Sequence, residues 1–180
     1  MTEAARHSGL SATLGREIDW LQQRIDFRLQ QYLQQSGHDP AAAPPPPPEL
    51  VDRCAYGATV AMAGLGTDDR LALILALARW LRPQALDLFF CRNANLDRRF
   101  TEFGGIDCPD SGGFVPTRQT ALFLIAGDDL DRRLAVLPMF GPDAPLVRVR
   151  LIAAQSDELA PWAVLEPHPD LIARLFRYPG

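Results

Sequence analysis

Residues 116–138 read PTRQTALFLIAGDDLDRRLAVLP, two apolar runs separated by Gly127-Asp128. Pro116 or Thr117 opens a helix over Arg118 to Ala126, Gly127 ends it, and Asp128 caps a second helix over Asp129 to Leu137 that Pro138 stops. Two short helices with a glycine between them resemble a helix-turn-helix pair. Beyond them Leu146-Val147-Arg148-Val149-Arg150-Leu151-Ile152 alternates with period two, and Trp162 to Leu165 is a second short apolar run. These are expected to pair as a terminal β-hairpin, and Leu171 to Phe176 adds one or two helical turns. Helices followed by a hairpin give the expected fold class: mainly α (α+β), a winged-helix-like domain over residues 49–180.

Upstream, Glu49 to Ala63 is compatible with helix, Gly64-Leu65-Gly66 is a turn, and Thr67 caps a strong helix over Asp68 to Leu81. Pro83 opens another helix to about Arg92, with Leu86, Phe89 and Phe90 inward. Asn93 to Val115 is expected to be irregular.

The first fifty residues divide differently. Apolar residues at Leu14, Ile18, Leu21, Ile25, Leu29 and Leu33 mark one face of an amphipathic helix over residues 13–37, with Thr13 as its cap and Gly37 as its end. Residues 1–12 are expected to be a flexible N-terminus. Residues 38–48 form a Pro/Ala-rich linker whose five prolines, Pro44–Pro48, favour an extended polyproline helix of roughly 15 Å. A ligand for proline-reading modules is the minor alternative, because no basic residue flanks the run. The apolar stripe packs on its own domain or pairs with another copy or another protein. On the second alternative Leu21, Ile25 and Leu29 carry the contact, and a homo-oligomer through this helix becomes possible.

Composition excludes much chemistry. The 180 residues carry a formal charge of −4, and all 18 basic residues are arginines, so lysine Schiff-base and Walker-type chemistry has no residue to perform it. Nucleic acid is not an expected partner of such a surface, and the helix starting Asp128-Asp129-Leu130-Asp131 would bring carboxylates to a duplex. No apolar run is long enough for a membrane span and no export signal is visible, so a cytoplasmic location is expected. Cys54, Cys91 and Cys108 fit free buried thiols. Gly64 to Asp69 lacks a phosphate lysine and places two aspartates where a phosphate would sit. His7, His38 and His168 have no metal-site spacing, and no serine stands in a nucleophile elbow. Asp97 and Glu102 among Arg92, Arg98 and Arg99 suit an ion network more than an acid/base pair, since arginines keep carboxylates ionised. No catalytic, cofactor-binding or metal residue is therefore assigned. Asp97→Ala is expected to cost about 1–3 kcal/mol if it leaves a buried arginine unpaired.

The run Phe89-Phe90-Cys91-Arg92-Asn93 through Leu96-Asp97-Arg98-Arg99-Phe100-Thr101-Glu102-Phe103-Gly104-Gly105, then Gly112 to Thr117 and Thr120 to Leu130, resembles the N-terminal winged-helix region of bacterial AAA-family ATPases associated with contractile, phage-tail-like injection systems. The resemblance covers about Asp68 to Phe140 and extends more loosely to the hairpin. It implies a non-catalytic adaptor domain that precedes a hexameric motor and takes a protein partner or the ATPase module. ATP and Mg would belong to that module, because this chain has no Walker A or Walker B motif. The chain is then the N-terminal portion of a longer protein or a stand-alone relative. Arg92, Asn93, Asp97, Arg98, Glu102 and Phe103 would fix the irregular segment. The alternatives are a DNA-binding winged-helix regulator and a small enzyme using Arg92 to Glu102.

Overall fold

The computed structural model describes residues 3–33, 42–50, 54–154 and 160–176. It is mainly helical, with two small antiparallel hairpins. The helices are α1 (Glu3–Tyr32), α2 (Ala55–Ala63), α3 (Thr67–Leu81), α4 (Arg118–Ala126), α5 (Leu130–Val136), α6 (Pro145–Arg148) and α7 (Pro169–Phe176). Short 3₁₀ segments cover Pro83–Phe90, Thr101–Phe103 and Leu137–Phe140. One hairpin pairs β1 (Arg92–Asn93) with β2 (Arg98–Arg99), and the other pairs β3 (Ile106–Asp107) with β4 (Phe114–Val115).

Helix α3 is the centre of the core: every residue from Leu71 to Ala78 is buried, so the helix is covered on all sides. It starts one residue earlier than expected, with the Gly66 N–H donating to Asp69 Oδ2 at 3.0 Å. Helices α1 and α4 pack against it. The first helix begins well before Thr13, which corrects both the flexible N-terminus and the cap. Ala4, Ala5 and Ala12 are good helix formers, and Leu10 carries the apolar stripe one turn further back. Thr13 is buried inside the helix. The expected end at Gly37 lies outside the described residues, as does the first part of the linker.

The helix pair is close to its expected form. Helix α4 has the limits read from sequence, and Asp129 rather than Asp128 caps α5 through Arg132 N. The carboxyl end of α4 is closed by arginines: Arg28 Nη2 donates to Ile125 O at 3.0 Å, and Arg133 Nη1 donates to Gly127 O at 2.7 Å. These cations meet carbonyls that a helix end leaves without partners and that carry its negative pole. Gly127 has φ +58, a conformation that requires glycine, and a Cβ there would also push the Arg28 guanidinium aside.

The expected wing is not a hairpin. Pro145 starts the single turn α6, and Arg150 takes φ +56 and breaks any strand through residues 146–152. Leu146 O accepts from both Leu151 N and Ile152 N, so the apparent alternation belongs to a turn that buries Leu146, Leu151 and Ile152 on one side. Pro161 and Pro167 remove donors that a second strand would need. What survives is two isolated bridges, Thr117 with Val164 and Ile152 with Pro167. The 161–165 segment instead caps α4: Arg118 N donates to Ala163 O and Gln119 N to Pro161 O, two first-turn amides that have no partner within their helix.

Helix α2 begins only at Ala55, with Cys54 Sγ accepting from Gly57 N at 3.4 Å. Glu49 and Leu50 are not helical. Pro83–Phe90 is 3₁₀ rather than α, and Leu86 and Phe89 are buried as expected.

Candidate functional site

The irregular segment folds as a hairpin. Asn93 Oδ1 accepts from Asn95 N at 2.9 Å and Leu96 N at 3.2 Å, a local turn that lets Asn93 pair with Arg98 across β1 and β2. Arg92 Nη2 reaches Asp97 Oδ1 at 3.0 Å and also donates to Asp97 O. This pair is on the surface: the side chains of Arg92 and Asp97 are 58% and 93% exposed. The expected loss of 1–3 kcal/mol for Asp97→Ala is therefore corrected, because no buried arginine is left behind. Asp97 has φ +46, where Asp is tolerated better than Ala. Asp97→Ala is now expected to shift stability by at most about 1 kcal/mol, read from the urea midpoint.

Phe103 behaves differently and is fully buried. Its ring lies 4.9 Å from Phe100, 4.9 Å from Phe123, 5.7 Å from Tyr32 and 5.9 Å from Phe89, which joins the segment to α1 and α4. The next residues are latched by Thr117 Oγ1, which accepts from Gly105 N at 3.1 Å, and by Gln119 Nε2, which donates to Glu102 O at 2.8 Å. Arg99 pairs with Asp107, tying the two hairpins together. Asp97 and Glu102 serve different partners, Arg92 and Tyr32, so the two carboxylates do not form an acid/base pair.

A second polar cluster was not singled out from sequence. Glu17 is completely buried where α1 meets α2 and α3, and its carboxylate pairs with Arg70. Tyr56 Oη donates to Glu17 Oε2 at 3.0 Å. A signal existed: Glu17 follows Leu14 by three residues and precedes Leu21 by four, so it stands on the stripe itself. Burial pushes the Tyr56 hydroxyl well above its ordinary value, and the Glu17 carboxylate adds to this. Tyr32 is pushed up to about 12, by burial first and then by Glu102.

In both tyrosines the folded state holds the proton more tightly than the unfolded chain. Their contribution is complete below the ordinary value near 10 and is lost as pH rises above it, for Tyr32 through about 12. The expected result is a melting temperature that falls above pH 10, and a smaller fall in Tyr56→Phe and Tyr32→Phe than in the parent.

Leu21 and Ile25 are 0% exposed and Leu29 is nearly so, all within this chain's own core. The expectation that these three touch a partner or a second protomer is corrected: Leu21, Ile25 and Leu29 are covered by the chain's own helices, whereas Leu33 at the end of the stripe is 41% exposed. Cys54 is buried as expected, but Cys91 is exposed and Cys108 is partly so. Cys91 closes the Pro83–Phe90 segment with extended backbone that leads outward into β1.

One outward apolar surface lies where α3 meets α7. Trp80 on α3 is 59% exposed and Phe176 on α7 is 38% exposed. They border a groove of about 450 Å³ floored by Ala153, Pro167, Ile172 and Ala173. Phe176 also borders a second groove of about 320 Å³ between Leu10, Leu14 and Ile18 of α1 and Leu81 of α3. Arg79 holds Glu166 at 2.9 Å and Arg82 holds Asp19 at 2.9 Å, a charged rim around the apolar floor. The sequence signal was Trp80 itself, at the end of a helix whose other face is already filled.

Among the described residues no group of His, Cys, Asp and Glu is arranged to hold a metal ion, and no helix is long and apolar enough to cross a membrane. Comparison of the chain with family models, curated proteins and solved structures gives no match.

Proposed function

We propose that the chain is a non-catalytic interaction domain that docks a protein partner along the Trp80–Phe176 face, in the setting of an AAA-family ATPase of the contractile injection type. The observation that supports it is the pair of adjoining apolar grooves sharing Phe176, with a charged rim, the layout of a protein contact site. The helix-turn-helix reading of the α4–α5 pair is part of the same proposal, without a β-hairpin wing after it among the described residues. ATP hydrolysis is assigned to a separate motor module, and the location to the cytoplasm. Helix α5 favours protein over DNA as the partner, since it exposes Leu130, Asp131 and Leu134, and its Arg132 is paired with Asp68.

The test is size exclusion with light scattering of this chain mixed with an AAA motor module of that type. A complex is expected, and Trp80→Asp should abolish it while changing stability by no more than about 0.5 kcal/mol, as an exposed substitution does. Two separately eluting species, or a complex that survives Trp80→Asp, would contradict the proposal.

A further inference from the structure

The proline run is seated on the body of the protein. Trp20 is 2% exposed, and its indole Nε1 donates to Pro45 O at 2.9 Å. Arg70 Nη2 donates to Pro48 O at 2.9 Å, and its guanidinium carbon lies 5.7 Å from the centre of the Trp20 ring. Pro44 borders the cleft beside Arg28 and Tyr32, so the run passes from that cleft over Trp20 to Arg70. Pro45, Pro47 and Pro48 are half-buried, and Pro44 and Pro46 face outward.

The spacing of the two accepted bonds is informative. A polyproline helix has three residues per turn, a rise of about 3.1 Å per residue, and no internal hydrogen bonds, so its carbonyls are free to accept. Pro45 and Pro48 are one turn apart and present their carbonyls on the same edge. The two donors that meet them come from different elements, α1 and α3. Arg70 is held in place from behind by buried Glu17, which itself takes the Tyr56 hydroxyl. An aromatic indole donor, with a second fixed donor one turn along, is the chemistry by which polyproline segments are recognised.

We propose that Trp20 and Arg70 form a polyproline-reading site, occupied by the chain's own Pro44–Pro48 and able to take a proline-rich segment presented by a partner in its place. The run is then a resident ligand and not a spacer, and the site is closed until a competitor displaces it. This does not depend on the Trp80–Phe176 face. Because the resident segment is tethered, its effective concentration is high and a free peptide competes poorly with it.

The experiment uses a full-length variant with Pro44–Pro48 replaced by alternating glycine and serine, and a synthetic peptide of residues 42–50. The readout is the Trp20 indole N–H resonance, assigned by its disappearance in Trp20→Phe. The expected result is saturable displacement of that resonance below about 1 mM peptide in the variant, and binding at least tenfold weaker in the parent chain. Trp20→Phe in the same variant should weaken binding about fivefold, the worth of one hydrogen bond, read by calorimetry. If the variant does not fold alone, the peptide is expected to restore a cooperative melting transition, because ligand binding stabilises only the folded state. No displacement in a folded variant, or no rescue of an unfolded one, would overturn the proposal.

Discussion

Glu17→Ala is expected to destabilise the protein by about 3–5 kcal/mol, the cost of leaving a buried charge without its partner. Glu17 has no exposed surface and meets both the Arg70 guanidinium and the Tyr56 hydroxyl. Alanine there strands Arg70 against Trp20 and Pro48 and leaves the Tyr56 donor unmet. A loss of that size is a large part of the whole stability of an ordinary domain. It is measurable as a lower urea midpoint at an unchanged slope. The pair is not expected to be worth that much in itself. Glu17→Leu combined with Arg70→Met and Tyr56→Phe should recover most of the loss, since an apolar cluster of similar volume pays no desolvation and leaves no buried donor unmet. A single-variant loss below about 1 kcal/mol would mean that water reaches Glu17.

Phe103→Ala is expected to cost about 3–5 kcal/mol as well, for a different reason. The ring is fully buried, and four aromatic neighbours meet it within 6 Å of centroid separation, from α1, from α4, from the Pro83–Phe90 segment and from Phe100 three residues earlier. Removal opens a cavity that stiff rings cannot close, and it forfeits edge-to-face contacts worth about 0.5–1.5 kcal/mol each. Asp97→Ala, six residues earlier, is expected to be nearly silent. The contrast between the two tests whether the segment is held by its aromatic anchor or by its exposed ions, and equal losses would contradict the anchor.

Where local pattern and local structure are decided by the same residues, the sequence was legible. The limits of α4, its stop at Gly127 and the buried Leu86 and Phe89 all follow from caps, proline placement and period. The wing failed because alternation over Leu146 to Ile152 does not separate a strand from a tight turn that buries every accessible leucine. Pro145 and the positive φ of Arg150 decided for the turn. The stripe on α1 announced a buried face but not what covers it, and so Leu21, Ile25 and Leu29 fit a partner equally well until the contacts with α3 and α4 were known. Long-range pairing hid the rest: Glu17 and Arg70 are 53 residues apart, and Trp20 and Pro45 are 25 apart.

Amide exchange mapped with and without an AAA motor module of the proposed type tests the division between inner and outer surfaces most directly. In the free chain, amides from Leu14 to Leu29 should exchange as slowly as those of α3, because both belong to one core. Binding should add protection over Arg79 to Arg82, Asp170 to Phe176 and the Leu10 end of α1, which line the two grooves. Fast exchange of the first helix in the free chain, with protection appearing there only on binding, would instead make that helix the docking element and contradict the account.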